Sequence, residues 1–190
     1  TKNITAPRGE IYDRNGVILA TNKLSYDVEL YKVRVSTKEQ NDGILRLVEI
    51  LNENSDKVYS TFPVNDDLNG FNFENTEEEQ KWKKEMKLDS TLTFDQVIDK
   101  YIEKYELQDY SDNRLNQIKM IEIKYEANLN GYSLFNSATI AKDISQKSVA
   151  KIGEEKYKIY GISIVSVPKR YYPNGNLLSH TIGYVSKISS

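Results

Sequence analysis

The chain has 190 residues, 38% hydrophobic and 11% aromatic, enough for one sizeable domain or two small ones with an apolar core. Its 26 Lys and Arg against 28 Asp and Glu give a formal net charge of -2, without the basic excess that a dedicated nucleic-acid binder uses to displace counterions. Cysteine is absent and His180 is the only histidine, which excludes disulfides, thiolate metal sites and cysteine nucleophiles and leaves little place for a Ser-His-Asp triad.

The first segment reads as β structure. Glu10 to Tyr12, then Arg14-Asn15-Gly16, then Val17 to Leu19 form a hairpin pattern, with Asn-Gly suited to a type I′ turn. Leu24 to Val35 alternates in part and predicts a longer strand. The period then changes. Ile44, Leu47, Val48 and Leu51 fall at helical spacing, and Val58 to Val64 predicts a short strand closed by Pro63. Asn65 to Asn75 is a polar loop. Thr76-Glu77-Glu78-Glu79 has the form of a capping box ahead of a charged helix, and Glu77 to Lys87 reads as a solvated mixed-charge surface.

Thr93-Phe94-Asp95-Gln96 is a second capping box. It opens a helix with Phe94, Val97, Ile98, Tyr101, Ile102 and Tyr105 on one face. The Tyr101/Tyr105 stripe at that spacing is read as core. Another helix is predicted from Asp112 to about Ala127, with Leu115, Ile118, Ile121 and Tyr125 inward. Ala138 to Ala141 reads as a strand, Ser145 to Glu155 as a helix and Tyr157 to Pro168 as a strand. Pro173-Asn174-Gly175 is a turn, and His180 to Ile188 ends the chain in extended form.

The expected fold class is therefore α+β: a small sheet built from both chain ends, with a mainly helical inserted head. The boundaries are 1–35 and 135–190 for the base and 36–134 for the head. No apolar run approaches the roughly 20 residues that span a bilayer. Thr1 is not a natural start, so the sequence is expected to be a fragment.

Two stretches carry a family resemblance. Ala6-Pro7-Arg8-Gly9-Glu10-Ile11-Tyr12-Asp13-Arg14-Asn15-Gly16-Val17-Ile18-Leu19-Ala20 resembles the motif that opens the dimerisation, or pedestal, domain of class B penicillin-binding proteins. Pro168-Lys169-Arg170-Tyr171-Tyr172-Pro173-Asn174-Gly175, followed by His180-Thr181-Ile182-Gly183-Tyr184-Val185, resembles that domain's closing pattern. Ala138 to Ser145 and the helix holding Val149 and Ile152 look like the family's approach to it. The resemblance covers the first thirty or so residues and roughly the last fifty-five.

The residue types suit a structural role. Arg8, Asp13, Arg14 and Arg170 are expected to form charge-assisted bonds tying the first hairpin to the last strand, because the planar Arg fork can bind a carboxylate twice. Gly9 and Gly16 permit backbone conformations that other residues resist. Tyr172 and Tyr184 suit a half-buried seam. Asn15, Pro173, Gly175, His180 and Gly183 complete the two patterns as structural residues.

The resemblance implies a bacterial parent with one N-terminal membrane helix, this non-catalytic pedestal on the extracytoplasmic face, and a C-terminal D,D-transpeptidase domain acting through an acyl-serine. Its implied partners are that transpeptidase domain, a SEDS-type glycosyltransferase and other wall-synthesis proteins. A homodimer is left open, no nucleic acid is expected, and no cofactor is called for. The competing readings are a stand-alone cell-surface binding protein and a hydrolase using a carboxylate pair.

Three patterns look like sites and are read otherwise. Ser148-Val149-Ala150-Lys151 fits SxxK and Ser111-Asp112-Asn113 fits SxN. Their order is reversed relative to the family's catalytic triplet, and no Lys-Thr-Gly exists, so they read as helix surface and a helix N-cap. Asn65, Asp67, Asn69 and Gly70 open like a calcium loop. The bidentate Glu would be needed where Thr76 stands, so a solvated loop is expected.

Overall fold

A computed structural model of the chain describes residues 8–173. Its strands are β1 (Ile11–Tyr12), β2 (Ile18–Leu30), β3 (Ala138–Ala141) and β4 (Ile162–Tyr171). Its helices are α1 (Thr37–Glu53), α2 (Thr76–Glu85), α3 (Phe94–Lys104), α4 (Arg114–Leu129) and α5 (Gln146–Glu154), with a 3₁₀ turn at Gln108–Tyr110. This is the expected α+β class. β2 pairs antiparallel with β1 near its start and with β3 near its end, and β4 also pairs with β2. The chain divides into two compact units, Thr1–Ser25 with Ser166–Ser190, and Tyr26–Val165.

The first unit is built on the β1–β2 hairpin. The turn differs from the expected type I′. Gly16 has φ +80 and Asn15 is not in the left-handed region. The Gly16 N–H donates to the Asp13 carbonyl at 3.1 Å and the Asp13 N–H to the Val17 carbonyl at 2.9 Å. The result is a three-residue loop with one left-handed glycine, the usual alternative to a two-residue turn. β2 runs on without the break anticipated before Leu24. β4 starts later than expected and passes through Pro168 to Tyr171.

The second unit holds the main core, and α4 is its centre. Ile118, Met120, Ile121, Ile123, Tyr125 and Ala127 are buried around more than one face, as befits a helix surrounded by protein. It packs on α1, α3 and β3. α1 contributes Ile44, Leu47, Val48, Ile50 and Leu51, each at most 1% exposed. Each such side chain contributes about 1.5–3 kcal/mol of transfer free energy. The same core takes in Val28, Leu30, Ala138, Ile140 and Ile159. The compact unit is thus wider than the 36–134 stretch read as the head. Leu115, expected inward, is 52% exposed in the first turn of α4.

An aromatic cluster closes the other side of α4. The ring of Phe62 meets Trp82, Tyr101 and Tyr125 edge-on at centroid distances of 5.8, 5.3 and 5.1 Å. Such edge-to-face pairs add about 0.5–1.5 kcal/mol each beyond burial. Phe62 and Val64 come from the segment read as a strand. That segment forms only isolated bridges, Val58 with Ala141 and Val64 with Phe71, because its residues turn inward to fill the core.

Candidate functional site

In the first unit Arg170 of the closing motif meets Gly9 of the opening one. Asp13 stands at the head of the turn, where its Oδ1 accepts from the backbone N–H groups of Asn15 and Val17, both at 2.8 Å. A carboxylate at this position satisfies amides that the tight turn leaves open. Arg170, from β4, donates through Nη1 to the Gly9 carbonyl at 2.6 Å. Asn22 Nδ2 donates to the Arg8 carbonyl at 2.5 Å.

The expected four-residue charge cluster is therefore rearranged. Asp13 serves its own loop, and the carboxylate facing Arg170 is Glu10. Glu10 accepts from the Thr21 hydroxyl at 2.5 Å and from the Tyr12 hydroxyl. These two bonds, with the Arg170 charge behind them, hold its carboxyl below the usual range. Arg8 and Arg14 are exposed at the surface, as are Gly9, Asn15, Gly16 and Pro173. Tyr172 is 39% exposed, and the neighbouring Tyr171 carries the Lys23 ammonium 3.3 Å from its ring centroid. Gly175, His180, Gly183 and Tyr184 lie outside the described residues.

Two of the cavities in the second unit are lined by ionisable groups shifted by burial. One, of about 420 Å³, is lined by the end of α1, the 57–68 loop and the start of α4, including Asn52, Asn65, Asn116, Lys119 and Glu122. Asn52 donates to Asn116 at 3.1 Å and accepts from Lys119. Burial pushes the Glu122 carboxyl up to about 7, with Lys119 acting weakly in the opposite direction. The other, of about 400 Å³, lies among the chain after β2, the end of α3 and α4. Burial there brings the Lys124 ammonium down to about 8, against a small upward pull from Glu106.

The patterns that resembled sites resolve into local structure. Ser148 is fully buried, not on the helix surface as read, and its Oγ has no hydrogen-bond partner. Lys151 reaches instead to Glu155 at 3.3 Å, so it is no free base for that serine. Asn113 caps α4 by accepting from the Asn116 N–H, as expected. Asn65 and Asn69 bond to each other at 2.8 Å across the polar loop. Among the described residues no group of three or more His, Asp and Glu side chains is placed to hold a metal ion. The Tyr101/Tyr105 stripe is core, at 3% and 7% exposed.

Several buried or half-buried charges went unseen in the sequence. Lys83, inside the stretch read as a solvated surface, is 3% exposed and bonded to Glu79 at 2.5 Å and the Leu92 carbonyl at 2.7 Å. Glu126 accepts from the Thr61 N–H and hydroxyl, both at 2.9 Å. Arg46 grips Glu155 with two bonds of 2.7 Å. Only the Glu79/Lys83 pair, four residues apart on a helix, left a sequence signal.

Comparison with known proteins bears on the first unit's motifs. Residues 3–190 match the family model "Penicillin-binding Protein dimerisation domain". Penicillin-binding protein 2A of Bacillus subtilis is 29% identical over 198 residues, covering 95% of this chain and 25% of its own. The peptidoglycan D,D-transpeptidase MrdA of Escherichia coli K12 is 24% identical, covering 98% of this chain and 19% of its own. The chain thus spans a quarter or less of these curated relatives. Among solved structures, penicillin-binding protein 2B of Streptococcus pneumoniae strain 5204 aligns over 97% of this chain and 28% of its own, at 21% identity and TM-score 0.50. A Helicobacter pylori PBP2 solved in complex with MreC aligns over 95% of this chain and 22% of its own, at 21% identity and TM-score 0.45.

Proposed function

Because this chain belongs to the penicillin-binding protein dimerisation-domain family, we propose that it is the pedestal of a membrane-anchored peptidoglycan D,D-transpeptidase and takes no part in the chemistry itself. In this reading it stands on the extracytoplasmic side of the membrane, tied there by an upstream helix of the parent. It holds the penicillin-binding domain in position and contacts a SEDS-type glycosyltransferase, so that glycan polymerisation and crosslinking proceed together. The stretch 36–134 is the head that reaches toward partners. Arg8, Gly9, Asp13, Arg14, Asn15 and Gly16, with Arg170, Tyr172, Pro173, Gly175, His180, Gly183 and Tyr184, are its structural residues.

The observation that carries this reading is the Arg170–Gly9 bond, which brings a residue of the closing motif onto the opening motif 161 positions away. A guanidinium N–H donated to a backbone carbonyl fixes position and performs no chemistry. One relative is named for penicillin binding and another for D,D-transpeptidation, and this chain aligns with only a fraction of their length. That division of labour fits a support beside a separate catalytic domain.

The test uses the full-length parent in cells depleted of their own synthase. The compact unit 26–165 is replaced by a short linker. Acylation of the membrane-inserted protein by a fluorescent penicillin reports an intact catalytic domain. With acylation retained, crosslinked muropeptides fall and the glycosyltransferase no longer co-purifies. Unchanged crosslinking together with unchanged recovery of the glycosyltransferase would remove the scaffold role. Release of products from purified muropeptides by the 190-residue chain alone would establish the hydrolase reading in its place.

A further inference from the structure

The 400 Å³ cavity of the second unit is basic. Its lining includes three lysines, Lys32, Lys104 and Lys124, and one carboxylate, Glu106. Lys124 is only 9% exposed. The ammonium of a mostly buried lysine is normally held by a carboxylate or by several hydrogen bonds, because part of its hydration must be replaced. Among the described residues Lys124 has neither. Its ammonium lies 5.6 Å from the ring centroid of Tyr105, and the Lys104 ammonium lies 5.4 Å from the same ring. One aromatic ring is a weak substitute for a counter-ion, and here two like charges lie near the same ring.

Other groups at the cavity are hydrogen-bond donors. The Tyr105 hydroxyl accepts from Asn128 Nδ2 at 3.4 Å, which leaves its own proton to donate. Thr37, Gln40 and Tyr132 add neutral polar groups to the wall. Glu106 makes no ion pair with Lys124 and acts on it only as a weak charge from a distance; its backbone sits at φ +56, and its carbonyl accepts from Asn41 Nδ2 at 3.0 Å. The cavity wall therefore carries ammonium and hydroxyl donors, with three lysines set against one carboxylate.

We propose that this cavity is an oxyanion-binding site, in which Lys104, Lys124 and Tyr105 hold a phosphate or carboxylate group. Lys32 stands at the exposed rim and draws the anion in. The inference does not depend on the scaffold reading. It follows from the cavity's charge and from the unpaired Lys124, and would stand in a protein with any other task.

The test is a heteronuclear NMR titration of the 190-residue chain at low ionic strength with inorganic phosphate, pyrophosphate and glutarate in separate arms. Saturable shifts at residues 104–106 and 124–132 are expected for at least one of them, and the tighter arm tells a phosphate from a carboxylate source. The exposed variant Lys104→Gln keeps its fold and weakens binding by about tenfold, the worth of one charge-assisted hydrogen bond. Lys124→Met abolishes binding, and Lys147→Gln, on α5, leaves it unchanged. Shifts that fail to saturate by tens of millimolar in every arm overturn the proposal. So do saturable shifts that survive in Lys104→Gln, which needs no change in the core.

Discussion

At the scale of single residues, the charges that matter are those the fold strips of water. Glu122 is the clearest case, because its carboxyl rises from 4.5 to about 7 by burial at the cavity wall. Between those values the folded chain keeps a proton there that the unfolded chain has lost. Stability attributable to Glu122 is therefore full below about pH 4.5 and falls as pH rises through about 7. Glu122→Gln removes that slope. The variant is expected to gain about 1–2 kcal/mol over the parent at about pH 8, allowing for water at the cavity mouth, and to match it at about pH 4.5. Urea midpoints across that range measure it, and a constant difference would assign the effect to packing instead. None of this could be read from sequence. Glu122 stands among 28 acidic residues, and what singles it out is a wall made by α1 and a loop more than fifty positions earlier. The same holds for Arg46 and Glu155, which meet across 109 residues.

At the scale of elements, the sequence was legible where the signal was local. The Thr93 box is present in full: Thr93 Oγ1 accepts from the Gln96 N–H at 3.4 Å and Gln96 Oε1 accepts from the Thr93 N–H at 2.9 Å. The box read at Thr76 does not form, and the cap stands one residue earlier. Asn75 is the cap, accepting from the Glu78 N–H at 3.0 Å, and Glu78 reaches back to the Glu74 N–H at 3.3 Å. Asn and Thr cap comparably well, so the pattern alone could not choose between two adjacent candidates. The choice predicts an asymmetry. Asn75→Ala is expected to destabilise the chain by about 1 kcal/mol, and Thr76→Ala to change it by less than about 0.5 kcal/mol. Chemical denaturation of the two variants side by side checks this, and equal losses would return the cap to Thr76. Elements set by distant packing were harder. Val58 to Val64 alternates like a strand, yet Phe62 is drawn into the aromatic cluster and the segment pairs only at isolated points.

At the scale of the molecule, the two units differ in what sustains them. Every residue of the main core cluster lies between Val28 and Ile162, inside the unit Tyr26–Val165. In the other unit Ala20 is the one fully buried apolar side chain among the described residues, and Ile11, Tyr12, Val17, Ile18 and Leu24 are exposed. A unit of 140 residues buries enough surface to fold by itself, whereas the hairpin unit has no comparable core. The fragment 26–165 is therefore expected to melt cooperatively by near-ultraviolet circular dichroism. Gly161 supplies the control. It sits at φ +76, its carbonyl accepts from the Tyr31 N–H at 2.7 Å, and a Cβ there would come within 2.5 Å of the Tyr31 oxygen. Gly161→Ala combines a strained backbone with a clash against main chain that cannot swing aside, and is expected to cost the fragment about 2–4 kcal/mol. A fragment that melts without cooperativity would mean that the helical core needs the chain ends to complete it. A cooperative fragment indifferent to Gly161→Ala would mean that the link from Tyr31 to the start of β4 forms no part of the folding unit.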